Sequence, residues 1–444
     1  MFKLDKPDMA EIKEEEMSLL FSTESQNKVL DFFKRVSEKK YIYWDKVRLQ
    51  EPSPENISKE TLWRFIKMFR RGKSIKTEIK DEQNNSFSWV KLDYFEEFEH
   101  KLDFNTGGGL FIDKAKEKQI GQTLISRGVI EEAIASSQLE GASTSRVTAK
   151  KMLKEGRKPS NHSEQMILNN YNSLRAIEDH YQNEEMSVDL LSELHALITE
   201  DTLDDQGEVP HLRREGEKIC VTDKRTGDIY HNGPNTVFVK EQLMVLVDFA
   251  NNKIETERFT HPIIKAIMLH FWIGYLHPFT DGNGRLARLI FYWYLIKNGY
   301  WAFMYLPISK IIKKSPQQYA MAYIYSEQDD NDLTYFIDYN FKKIKMALDD
   351  FQKYVKNQSV ENVKMKSKAE EKYSLNVRQI QLLQYLYSDK DARTNLKAHI
   401  NINNISNKTA SVDLKDLVQK GLLTQKRQGR HIYYYASEKI KDLF

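Results

Sequence analysis

The stretch His277-Pro278-Phe279-Thr280-Asp281-Gly282-Asn283-Gly284-Arg285-Leu286-Ala287-Arg288 gathers a base, an acid, two glycines and two arginines within twelve residues. Such a set suits an anion. A helix starting at about Gly284 or Arg285 would present unpaired amides at the positive end of its dipole. Gly282 and Gly284 remove side chains that would hold a phosphate away from the backbone. Asn283 has an amide to donate. Arg285 and Arg288 lie three apart on one helix face and offer forked donors to phosphate oxygens. Asp281 is a hard oxygen ligand of the kind Mg²⁺ takes together with phosphates. His277, with a reference pKa of about 6.5, can accept a hydroxyl proton at neutral pH. Together these parts suit transfer of a phosphorus-containing group from a nucleotide to an alcohol. Each residue alone would fit a capped helix start with surface arginines; the combined spacing argues against that.

The elements that carry this loop read mostly as helix from about 111 to 350. HPIIKAIMLHFWIGYL, before the loop, is apolar almost all round and predicts a buried central helix. RLARLIFYWYLIKNGY resumes helix after it and closes at Asn298-Gly299. Upstream, EKQIGQTLISRGVIEEAIASSQLEG reads as one helix ending near Gly141. HSEQMILNNYNSLRAIEDHYQ reads as another, and SVDLLSELHALITEDTL as a third with Ser187 as N-cap. KICVTDKRTGDIYHNG breaks the pattern with two short β-rich runs about a turn at Gly227, a β-hairpin.

The motif at 277–288 matches, at every defined position, the signature H-x-F-x-[DE]-G-N-G-R-x-x-R of the Fic family. The resemblance covers roughly 111–345, including DLTYFIDY at 332–339. It implies an all-helical core with a β-hairpin flap, and an enzyme that moves AMP from ATP to a Tyr, Ser or Thr hydroxyl of a protein, releasing pyrophosphate. By that resemblance His277 is the general base and Asp281 holds Mg²⁺ on the α- and β-phosphates. The stretch Gly282, Asn283, Gly284, Arg285, Leu286 and Arg288 binds ATP. Within it Asn283 and the glycine backbone form the anion hole, and the two arginines grip the β- and γ-phosphates. Phe279 is a packing residue. Residues 218–232 become the flap, whose edge pairs with an extended target segment. Family members often carry a proline-rich stretch after the flap; HNGPN here keeps only Pro234, which leaves the ribose side of the flap open.

SSQLEG (136–141) places Ser136 and Glu140 four apart, on one helix face. Read alone it is a helix end with a glycine cap. It resembles the family's inhibitory motif [ST]-x-x-x-E-[GN], in the class where the helix, here about 121–141, precedes the core. Ser136, Glu140 and Gly141 would form it, with Glu140 paired to Arg288 in the γ-phosphate's place. The implied activity is self-inhibited adenylylation. The alternatives are AMP removal with Glu140 aligning water, or a DNA-binding regulator whose core only senses nucleotide.

His270 reads as a core histidine. Tyr319 and Tyr323 are candidates either for adenine contact or for core packing, and Arg213 and Arg214 either for the flap or for a solvated surface. No His, Asp or Glu spacing suggests zinc, and Cys220 has no cysteine partner.

With 444 residues, 40% hydrophobic and 30% charged, the chain suits two or three soluble domains. No apolar run reaches the roughly 18–20 residues of a membrane span. The N-terminus lacks the apolar region of a secretory signal. One cysteine excludes an internal disulfide and suits the reducing cytoplasm. The net charge of +3 is too near neutral to imply nucleic acid for the whole chain, but residues 361–444 carry roughly +7.

Residues 1–110 read as a region of mixed short elements with an unassigned role. SKETLWRFIKMFRRGK has helical spacing, SFSWVKLDYF is strand-like, and Gly107–Gly109 is either a joint or a phosphate cradle. Residues 351–370, polar and lysine-rich, are a linker or a helix. The segment 371–444 reads helix, helix, helix, hairpin and resembles a winged helix-turn-helix. Ser406, Asn407 and Lys408 would open its recognition helix, with Lys426, Arg427 and Arg430 at the wing tip about Gly429. DNA, protein and self-association are open as partners of this unit. The expected class is mainly α: a Fic helical core with a β-hairpin flap and a C-terminal winged helix-turn-helix.

Overall fold

The computed structural model describes residues 2–104, 114–203, 210–223, 225–255, 258–388, 392–428 and 431–442. Gly107–Gly109, Gly429 and Arg430 lie outside them. The fold is mainly helical. The N-terminal part contains helices α1 (Glu14–Leu20), α2 (Gln26–Phe33), α3 (Trp44–Val47) and α4 (Lys59–Lys73). The antiparallel strands β1 (Ile75–Lys80) and β2 (Ser86–Trp89) and helix α5 (Asp93–Leu102) follow. In α4, Ser58 caps the helix by accepting from Thr61 N–H at 3.0 Å, and Leu62, Phe65 and Ile66 supply the buried stripe.

Next come α6 (Lys114–Leu139), α7 (Arg146–Glu155), α8 (His162–Ala176) and α9 (Val188–Thr199). Ser187 caps α9 through Leu190 N–H, at 3.0 Å. Strands β3 (Cys220–Thr222) and β4 (Ile229–Asn232) form the expected antiparallel hairpin, with Cys220 opposite Asn232. Helices α10 (Thr236–Ala250), α11 (Pro262–Leu276) and α12 (Asn283–Lys297) follow. Helices α11 and α12 pack together at the centre, and Trp272 and Trp293 are fully buried on them. A helix apolar on every face can be stable in water only where neighbours cover it, and α11 is covered so.

Helices α13 (Ile308–Ile312) and α14 (Pro316–Gln328) lead into α15 (Thr334–Tyr373), which runs on through 351–370. The N-terminal part shares one apolar core with α11 and α12. It is also tied by polar contacts: Arg70 donates to Tyr335 Oη at 2.8 Å, and Lys67 pairs with Asp329 at 2.9 Å.

The last segment holds α16 (Val377–Ser388), β5 (Thr394–Asn395), α17 (Leu396–Asn403), α18 (Asn407–Gln419), β6 (Leu423–Gln428) and β7 (His431–Ala436). The strand order is β5-β7-β6, and the segment has its own apolar cluster. Ser406 caps α18, accepting from Thr409 N–H at 3.2 Å. Lys408, Lys426 and Arg427 are exposed. The unit touches α7, where Arg393 meets Glu155 at 3.2 Å.

Candidate functional site

Helix α11 ends in His277, whose backbone is left-handed (φ 43°, ψ 62°). A non-glycine residue there is strained and must be held by its surroundings. The buried guanidinium of Arg213 supplies that hold. Its Nε donates to the His277 carbonyl at 2.6 Å and its Nη2 to the carbonyls of Leu276 and Pro234, at 3.1 and 2.9 Å. Arg213 is therefore no solvated surface group. Arg213→Ala would orphan several buried acceptors, so it should lower stability by about 2–3 kcal/mol. Chemical denaturation of the two proteins measures this.

After His277 the chain turns inward. Phe279 is fully buried and stacks on the His195 ring at 3.6 Å. Asn283 clips the loop shut: Phe279 N–H donates to its Oδ1 at 3.0 Å, and its Nδ2 donates to the Phe279 carbonyl at 2.8 Å. The Asn283 amide is thus spent inside the loop instead of facing an anion. His195 Nε2 lies 2.7 Å from the Asp281 carbonyl, as donor to that acceptor. Gly282 is left-handed (φ 79°), and a Cβ on it would fall 2.7 Å from Thr199 Cγ2, so only glycine fits. Helix α12 starts at Asn283 after a left-handed Gly282, and no side chain of the N-cap residue caps it.

The remaining motif residues divide by burial. Leu286, expected among the phosphate-binding residues, is instead core: its side chain is fully buried and its N–H donates to the Gly282 carbonyl at 2.9 Å. Arg285 is also buried; Nη1 donates to the Ile198 carbonyl at 3.0 Å and Nη2 meets Asp281 Oδ2 at 3.1 Å. The Asp281 side chain stays 57% exposed, so it can still reach a ligand.

Arg288 turns toward α6. Its Nε donates to Ser136 Oγ at 2.8 Å, and its Nη2 to the Ser136 carbonyl at 3.0 Å and to Glu140 Oε1 at 2.8 Å. Burial pushes the Glu140 pKa up, but the Arg288 charge and hydrogen bond outweigh it and leave the carboxyl below its usual range. A Cβ on Gly284 would collide with the Glu140 carboxylate, which therefore lies close against this glycine. Gly141 follows with a left-handed φ of 105°. One helical turn before Ser136, Glu132 accepts from Ser309 N–H at 2.9 Å and anchors the same face of α6.

His277 Nδ1 bonds the Gly274 carbonyl. Since a carbonyl only accepts, Nδ1 carries the proton and Nε2 keeps its lone pair. Burial of the imidazole, then the neighbouring His231, push its pKa down to about 4. His270 is buried with Nε2 2.8 Å from Tyr319 Oη, a core position. Tyr319 and Tyr323 pack with Phe336 in an aromatic cluster, with ring centroids 6.3 and 4.5 Å away.

The hairpin β3–β4 lies beside this loop, and His231 on β4 brings its ring centroid within 5.7 Å of that of His277. The chain's own N-terminal segment meets β4, where Phe2 N–H donates to the Ile229 carbonyl at 2.7 Å. Sequence reasoning missed His195, His231, Glu327 and Glu132. Each meets its partner across a long stretch of chain, and no spacing rule marks such pairs.

Residues 185–295 match the sequence model of the Fic/DOC family. The chain carries a Fic domain. The chain is similar to protein adenylyltransferase fic-1 of Caenorhabditis briggsae, 31% identical over 119 residues, which is 27% of this chain and 21% of that one. It is also similar to protein adenylyltransferase Fic of Nematostella vectensis, 50% identical over 40 residues, 9% of each chain. This chain therefore spans about a fifth or less of the length of these curated relatives. Among solved structures, a Fic family protein of Desulfovibrio desulfuricans G20 aligns with a TM-score of 0.48 and 16% identity, over 78% of this chain and 95% of that one. The matched stretch holds α9, the β3–β4 hairpin, α10, α11, the 277–288 loop and most of α12. No helix among the described residues is long and apolar enough to cross a membrane.

Proposed function

We propose that this chain is a self-inhibited protein adenylyltransferase that moves AMP from ATP to a Tyr, Ser or Thr hydroxyl of a target protein, and of itself. The observation that carries the reading is the pairing of a neutral His277, its Nε2 lone pair available, with an amide loop and arginine that a carboxylate of the same chain covers. In the active state the target oxygen attacks the α-phosphorus of ATP and its proton passes to His277 Nε2. The bond from that phosphorus to pyrophosphate breaks. The first amides of α12 stabilise the charge gathering on the phosphates. Arg288, once released by Glu140, reaches the γ-phosphate.

Mg²⁺ fits the donor set as a one-carboxylate site. Among the described residues no three His, Cys, Asp or Glu side chains are placed to hold a metal. The exposed Asp281 would supply one ligand and the phosphates others, as Mg²⁺ commonly accepts. Bound there, the ion would neutralise phosphate charge. The target segment would add to residues 218–232, at the edge of β3. Cys220 and Thr222 are exposed there, whereas Phe2 already meets β4. Residues 371–444 would form a winged helix-turn-helix, a reading supported by three helices before the β6–β7 hairpin.

Incorporation of label from α-labelled ATP, with the His277 variant as control, tests this reading. The shifted base gives a pH signature as well. A histidine near 4 stays neutral down to about pH 5, so the rate should be flat from pH 7 to 5 and half-lost near pH 4 instead of near 6.5. The same shift acts on stability: an imidazole buried neutral contributes fully above its unfolded value of about 6.5, and the contribution fades as pH falls through about 4. Initial rates of a released variant across that range check the first expectation.

A further inference from the structure

The flap carries a second histidine that the reaction as described does not use. His231 on β4 is buried, 7% exposed, and both its ring nitrogens meet acceptors. Nδ1 lies 2.7 Å from Glu327 Oε2 on α14, and Nε2 lies 2.8 Å from the Tyr275 carbonyl at the end of α11. A neutral imidazole has one N–H and could satisfy only one of them. With Glu327 as a carboxylate, two acceptors at these distances call for two donors, which makes the ring an imidazolium paired with it. It fastens the flap strand to α14 and to the helix that ends in the catalytic base.

We propose that His231, bridging Glu327 and the Tyr275 carbonyl as a cation, is a positioning residue that fixes the flap beside His277 and keeps that base unprotonated. The proposal rests on the reading of His277 as the base. The groups facing His231 are Glu327 from α14, the ring and carbonyl of Tyr275 from α11, His277 from the loop and Arg213 from the segment before the flap. Arg213 already donates to several carbonyls, which leaves Glu327 as the counter-charge. Two like charges on neighbouring rings disfavour each other. With His231 charged, His277 resists protonation from solvent. Once it has taken the hydroxyl proton, it gives that proton up readily, and the free base returns.

The direction of the His231 shift agrees. Burial alone would push its pKa down, but Glu327 and the two hydrogen bonds raise it above the ordinary histidine value. The contribution of the pair is full below about 6.5 and is lost as pH rises through the higher folded value. The flap should therefore loosen on the alkaline side, opposite to the acid-side loss at His277.

The experiment has two arms. In the first, the histidine ¹⁵N spectrum of the full chain is recorded at pH 7 and His231 is assigned by comparison with His231→Gln. The expected result is a doubly protonated ring that becomes neutral in Glu327→Gln. In the second, kcat/KM for AMP transfer is followed against pH in a Glu140→Gly background, with and without His231→Gln or Glu327→Gln. The parent should show a falling alkaline limb. His231→Gln should remove that limb, move the acid limb up by about one pH unit or more, and lower kcat/KM by roughly 10-fold to 100-fold through a misplaced flap. Glu327→Gln should bring the alkaline limb to lower pH. A neutral His231 at pH 7, or an acid limb unmoved in both variants, overturns the proposal. If no member of the series transfers AMP, the adenylyltransferase reading falls, while the ¹⁵N spectrum still decides the charge of His231.

Discussion

His277→Ala is expected to lower AMP transfer by roughly 10²–10⁴-fold, the usual cost of removing a general base, while ATP retention changes little. The imidazole and the phosphate site are separable in this structure. Nδ1 is tied to the Gly274 carbonyl, which leaves Nε2 as the unprotonated nitrogen. The proposed anion site would use instead the α12 amides after Gly282. Its shape is held by the Asn283–Phe279 clip and by His195 on the Asp281 carbonyl. None of these contacts uses the His277 ring. The left-handed backbone of residue 277 is held by Arg213 through the carbonyl, which alanine retains. Transfer of label from α-labelled ATP and equilibrium binding of ATP, measured on the same preparations, separate the two roles. Unchanged transfer would remove His277 as the base; loss of both would make it structural.

Glu140→Gly should raise AMP transfer strongly, on the order of 100-fold, which is the scale a misplacement of about 1 Å can cost. In the resting chain Arg288 is buried and its Nη2 is spent on Glu140 and the Ser136 carbonyl. The carboxylate also lies against Gly284, within the loop that a phosphate would use. ATP entering such a site meets a like charge where it needs a guanidinium, and its α-phosphate is held out of line. Removing the carboxylate frees both the arginine and the loop, and the gain should appear as self-modification without added target. Arg288→Ala in the same chain should erase it, because the released arginine is its cause. The measurement is label incorporation by wild type, Glu140→Gly and the double variant. No gain on itself or on a cell extract would refute inhibition by SSQLEG. AMP accumulating on a target that wild type strips clean would instead assign Glu140 to AMP removal.

Much of this site is legible in the sequence because its signals are local. The almost wholly apolar run 262–276, broken only by Lys265 and His270, reads as a buried helix, and α11 is one. Gly282 marks a left-handed backbone that nothing larger could accompany, and a Cβ at Gly284 would meet the Glu140 carboxylate. Hydroxyls at Ser187 and Ser406 cap helices three residues into their reach. Ser136 and Glu140 share a face because they stand four apart, and the structure turns that face onto Arg288.

What each side chain meets is another matter, and there the tertiary structure decides. Asn283 and Leu286 sit in a motif that reads as anion-binding, yet one clips the loop and the other fills the core. Arg213, equally readable as surface, is the clamp on the His277 backbone. His195 reaches Asp281 from 86 positions away, and His231 reaches Glu327 from 96. The depressed pKa of His277 depends on how much water the folded chain withdraws and on a second ring brought beside it. Capping, periodicity and backbone freedom act within about four residues, so residue order alone determines them. Desolvation and charge pairing act through space between segments that only the packed chain brings together.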